Sequence, residues 1–162
     1  MQQWQAEGEE EKFDEMFMEE WGRQWAQEEQ PQAQAIPFAA NNKYLEREGN
    51  LKLAKQLVEQ QKTQEAIECL QAEVTKNPES AEAWRLMGQL LQENDEDEYA
   101  ILAFKKAYEI DPYDLDSLLC LGISCTNELA QDEAVAHLHS YLRYHPEYSG
   151  VPGVQSAKLD QF

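Results

Sequence analysis

At 162 residues the chain has room for one domain, or one domain with tails. Its 32 acidic and 13 basic residues give a formal charge of −19, a field that repels nucleic acid and anionic membrane surfaces and favours basic ligands or basic partner segments. No apolar run approaches the roughly 18 residues of a membrane-spanning helix, no secretory leader is recognisable, and Cys69, Cys120 and Cys125 lack metal-ligand spacing, so a reducing, soluble compartment is expected.

Residues 1–30 hold ten acids and two basic residues, yet also Phe13, Met16, Phe17, Trp21 and Trp25. Those large side chains would form one stripe of a helix, an acidic element that packs as a cap, inserts into a partner's groove, or stays disordered in isolation. Residues 31–46, with Pro31 and Pro37 in "EEQPQAQAIP", read as a linker or lead-in.

From residue 47 the chain repeats itself. Pro78, Pro112 and Pro146 are spaced by 34 residues, as are Ala66, Ala100 and Ala134, and Ala54, Gly88 and Gly122. The expected units are 47–80, 81–114 and 115–148. In the middle one, Trp84, Met87, Gly88 and Leu91 share one face of a first helix, and Ala100, Phe104 and Ala107 share a face of a second. "ENDEDE" separates the two helices, and Asp111–Pro112 ends the unit because proline cannot continue a helix. Gly88 and Ala100 are small where two antiparallel helices must approach closely.

This pattern of Trp, Leu-Gly, Tyr, Ala, Phe, Ala and Pro resembles the tetratricopeptide repeat. The resemblance implies an all-α fold: a right-handed superhelical solenoid of three helix-turn-helix units. The first unit departs with Asn50 in the tryptophan slot and Glu73 in the last alanine slot. The third has Cys125 in the tyrosine slot and a bulky Tyr141 for the last alanine, which should reshape that contact.

Residues 149–162 read as a flexible tail of Gly, Pro and Ser punctuation. "SAKL" at 156–159 looks like a targeting tripeptide, but the following residues deprive it of a free carboxylate. A solenoid needs a polar face at its end, whereas the last helix offers Val135, Leu138, Tyr141 and Leu142. The expectation is a fragment, or the first half of a longer array, whose third repeat packs poorly alone.

No catalytic constellation is found, so the chain is expected not to be an enzyme and to need no cofactor. His137 and His139 are two apart and point to different sides of a helix. "NDEDE" begins like a calcium loop, but Ala100 and Lys106 fall where glycine and a bidentate glutamate are required. No metal site is expected, and buried small thiols are the ordinary state for the cysteines.

The first helix of each repeat should line an inner groove. Its second, fifth, ninth, twelfth and thirteenth positions include Lys55; then Arg85, Gln89, Gln92 and Glu93; then Asp116, Ile123, Thr126 and Asn127. A chaperone-tail adaptor would need a basic carboxylate clamp, and Leu51, Leu86, Asp116 and Cys120 stand in four of its positions.

The run from Ala83 to Tyr148 instead resembles the peroxisomal import receptors that read type 1 targeting signals, above all in "AW…G…QEND…E…AI.A", "S.TNE" and "YLRYHP". That resemblance implies a groove for a C-terminal Ser-Lys-Leu-like tripeptide of cargo proteins, with Ile123, Thr126, Asn127 and Glu128 as its peptide-binding residues here. Gln89, Glu93 and Asn94 are further groove candidates, although for Glu93 and Asn94 an ordinary helix end is the simpler reading. A carboxamide both donates and accepts, so Asn127 suits an extended peptide backbone, and Glu128 suits the basic middle residue. Donors for the terminal carboxylate are not found nearby; the family supplies them from later repeats, which makes this half a site. The resemblance further implies import-machinery partners at the organelle membrane, no direct membrane insertion, and a cytoplasmic protein that cycles to the peroxisomal membrane. "WGRQW" departs in its last position from the family's membrane-docking motif. Two alternatives stay open: a general scaffold that binds a partner helix or peptide, and, for residues 126–128, a plain helix end in which Asn takes a left-handed conformation.

Overall fold

The computed structural model describes residues 35–154; the expected aromatic-striped helix of residues 1–30 and the "SAKL" stretch lie outside them. The described residues form six α-helices and no strand: α1 (Asn50–Glu59), α2 (Thr63–Lys76), α3 (Ala81–Glu93), α4 (Asp97–Ile110), α5 (Leu115–Asn127) and α6 (Gln131–Tyr144). They pair as α1/α2, α3/α4 and α5/α6, and each pair packs on the next.

Close approach within a pair depends on the small-residue column. A Cβ placed on Gly88 would stand 2.8 Å from the ring of Phe104, and one on Gly122 would stand 2.6 Å from Leu138. Both are well inside van der Waals contact, so any side chain at these crossings must displace its partner, the buried Phe104 ring for α3/α4 and the end of Leu138 for α5/α6. Phe104, Leu70 and Met87 are among the largest fully buried side chains, and they occupy the expected helix faces.

Repeat starts and inner turns use different devices. Ser80 caps α3 by accepting from the Ala83 amide, and Asp114 caps α5 by accepting from Ser117. The Trp84 indole donates to the Pro78 carbonyl at 2.8 Å, tying α3 to the turn before it. Between the two helices of each pair, Gln61, Asp95 and Leu129 adopt φ of 59°, 58° and 60°. Each is followed by an amide that bonds five residues back: Lys62 to Leu57, Glu96 to Leu91, and Ala130 to Cys125. These are left-handed helix ends repeated every 34 residues, built without glycine.

Residues 35–49 lie along the first pair. The Gln71 side chain accepts from the Ala39 amide and donates to the Pro37 carbonyl, while Asn42 donates to the Glu68 carbonyl. Tyr44 is buried, and Asn50 donates to the carbonyls of Tyr44 and Arg47 at 3.0 and 3.1 Å. Asn50 stands in the tryptophan slot because the slot here faces a backbone turn with acceptors to satisfy. At the other end, residues 145–154 form turns, and the His139 ring is hydrogen-bonded to the Val154 carbonyl at 2.9 Å. His145 stacks on Tyr148 and tilts against Tyr141, so the bulky residue in the last alanine slot joins an aromatic run at the end of α6.

Candidate functional site

Ile123, Thr126 and Asn127 all sit on α5, with Glu128 as its C-cap, and all four are exposed. Their exposure follows from helical spacing: Leu118, Leu121, Ser124 and Cys125 turn inward, leaving 123 and 126–127 on the opposite side. Thr126 donates its hydroxyl to the Gly122 carbonyl at 2.8 Å, which fixes its rotamer and leaves its oxygen able to accept. Asn127 is helical. The left-handed position belongs to Leu129, so the reading of Asn127 as a left-handed helix end does not describe this turn.

Asn127 is held from the preceding repeat. Its carboxamide nitrogen donates at 3.1 Å to Oδ2 of Asp97, at the start of α4. Asp97 is only 8% exposed, and its other oxygen, Oδ1, is buried without a hydrogen-bond partner among the described residues. Through that bond Asp97 orients the Asn127 amide.

The second repeat contributes mostly joints. Gln92, the 34-residue counterpart of Thr126, donates to Ser124 Oγ at 2.7 Å and to the Cys120 carbonyl at 3.2 Å. Arg85 bridges Asp114 and Asp116 at 3.3 Å each, and Lys55 pairs with Glu82 across the first junction. The inner-face cations are thereby engaged by acids, which leaves the surface negative. Gln89 is half-buried. Glu93 is exposed, and Asn94 donates to the Glu96 carboxylate next to it.

One grouping was not legible from spacing. Cys125 of α5 comes together with Glu133 and His137 of α6, with one ligand-type atom from each inside a mutual 4.8 Å. Glu133 and His137 lie one helical turn apart, a signal available in the sequence, but Cys125 joins them only once α5 folds onto α6. Burial pushes the Cys125 thiol up to about 11, with the charge of Glu133 adding to the effect and Lys105 opposing it. Burial, then the nearby Lys105, lowers the His137 imidazole below its ordinary range. Lys105 pairs with Glu133 at 3.0 Å.

A family model described as tetratricopeptide repeat matches residues 51–114. These are tetratricopeptide repeats. The helix pairs superpose on the crystal structure of MamA with a TM-score of 0.59 at 22% identity, covering 63% of this chain and 60% of that one, a likeness of fold alone. Among curated proteins the tetratricopeptide chain is similar to Peroxisome biogenesis protein 5 of Arabidopsis thaliana, 44% identical over 114 residues, or 70% of this chain. It is also similar to the Peroxisomal targeting signal receptor of Yarrowia lipolytica, 32% identical over 113 residues, or 69% of this chain. The chain spans only 16% and 19% of the lengths of these two relatives. No described helix is long and apolar enough to cross a membrane.

Proposed function

We propose that the repeats form the N-terminal half of a groove that binds C-terminal Ser-Lys-Leu-type targeting signals of peroxisomal matrix proteins. The observation that carries this reading is the 44% identity to a peroxisome biogenesis protein over most of the repeat region. The exposed Ile123, Thr126, Asn127 and Glu128 on one end of α5 support it. The chain acts by binding and release, with no chemistry of its own. Import-machinery proteins at the organelle membrane are its further partners, and it works from the cytoplasm in cycles to that membrane.

An extended tripeptide leaves its backbone amides and carbonyls open. With Nδ2 turned to Asp97, the Asn127 carboxamide offers its oxygen to a peptide N–H, and its second N–H to a carbonyl. Each such bond contributes about 0.5–1.5 kcal/mol net, so several must converge for micromolar affinity. Glu128 and the acidic field speed the encounter with a basic middle residue.

The test is a fluorescence-anisotropy titration with a labelled peptide ending in free Ser-Lys-Leu. Its C-terminal amide and the Asn127→Ala protein serve as controls. Saturable binding that Asn127→Ala abolishes is the expected result, with the amide weakened only as far as the carboxylate is read by this half of the groove. Binding that is unchanged in Asn127→Ala would overturn the reading in favour of a general peptide scaffold.

A further inference from the structure

We propose that Cys125, Glu133 and His137 form a site for a borderline-soft divalent cation such as Zn²⁺, which staples α5 to α6. Thiolate, imidazole and carboxylate are the donor types such an ion takes. The ligand atoms lie within 4.8 Å of one another, so a shift of about 1 Å by side-chain rotation reaches tetrahedral ligand spacings. Three protein ligands leave the fourth position for water.

Charge balance favours the ion. Cys125 is fully buried while Glu133 and His137 are half-buried, a place where a thiolate beside a carboxylate has only the Lys105 ammonium to offset two negative charges. A divalent cation neutralises that pair completely, the thiol proton leaving to solvent and the imidazole binding in its neutral form. The competing group is Lys105, whose ammonium now holds Glu133. Its side chain is 36% exposed, so it can turn to water when the cation takes the carboxylate.

The consequence falls where the fold is least buried. Of the residues of α6 only Ala134 is buried, and an ion bound by both helices of the third pair stabilises the folded chain by mass action. None of this depends on the targeting-signal reading, since none of the three ligands is among its peptide-binding residues.

Titration of the 162-residue chain with Co²⁺ under reducing conditions tests the site. Expected are a thiolate-to-cobalt charge-transfer band, its displacement by Zn²⁺, and a rise in melting temperature with Zn²⁺. The band should vanish in Cys125→Ala and His137→Ala, and persist in Cys69→Ala and Cys120→Ala. Should Cys125→Ala fail to fold, as judged by circular dichroism, half-buried His137 still supplies the knock-out. Lys105→Gln should tighten cation binding several-fold, because it removes the competitor without touching a ligand. Absence of the band in the parent chain, its survival in His137→Ala, or unchanged affinity in Lys105→Gln would overturn the proposal.

Discussion

Helices α2 and α6 occupy the same place in their repeats and have the same length of 14 residues, yet seven residues of α2 are buried and only one of α6. The difference is not in the helices' own patterns. Ala66 and Leu70 of α2 correspond to Ala134 and Leu138 of α6 at a spacing of 68 residues. What differs is the neighbour. Helix α2 lies between α3 and the strap of residues 36–44, whose backbone is bound by the Gln71 side chain and whose Asn42 side chain donates to the Glu68 carbonyl. Helix α6 has α5 on one side and turns on the other, leaving Val135 and Leu142 each 38% exposed. A repeat is thus as stable as what covers it.

The widest separation between these helices should come from truncating the shared leucine position. Leu70→Ala removes a fully buried side chain and should cost about 2–5 kcal/mol. Leu138→Ala should cost less than about 2 kcal/mol, because its cavity is open to collapse and to solvent. Urea midpoints measured for both variants would break the comparison if they shifted equally.

The glycine crossings sharpen the same contrast on a smaller scale. Gly88→Ala drives a methyl into the Phe104 ring, which is buried on every side, and should cost about 1–3 kcal/mol. Gly122→Ala meets the end of half-buried Leu138, which can rotate away, so its loss should be the smaller of the two. Thermal melts of the pair decide this.

The smallest effect is expected at the α5/α6 turn and has the opposite sign. Leu129 is held at φ 60° and is 80% exposed, so it carries left-handed strain with little packing in return. Leu129→Asn should stabilise the chain by about 0.5–1 kcal/mol, read as a higher denaturation midpoint.

The columns visible in the sequence are those where packing admits few residue types. Gly88, Gly122 and Ala54 mark helix crossings, Phe104 marks the core, and Pro78, Pro112 and Pro146 mark the end of each pair. The left-handed column of Gln61, Asp95 and Leu129 was invisible because three unrelated side chains adopt one backbone shape. In the sequence the strap reads only as a lead-in, because its attachments through Asn42 and Gln71 are single side-chain-to-backbone bonds that follow no repeat spacing. Candidate site residues Ile123 and Thr126 to Glu128 came from resemblance to a family, since periodicity alone fits a polar helix end equally well. The bond from Asn127 to Asp97 spans 30 residues, and no local pattern announces it.

The junctions between pairs carry a mechanical consequence. Beyond their apolar contacts, neighbouring pairs are pinned by a few side-chain bonds: Lys55 to Glu82, Gln92 to Ser124, Arg85 to Asp114, Asn127 to Asp97, and Lys105 to Glu133. Each contributes on the order of 1 kcal/mol, little more than thermal energy. The array therefore behaves as an elastic coil whose pitch is tuned one bond at a time, and a single substitution at a junction alters its compliance while leaving each helical hairpin intact.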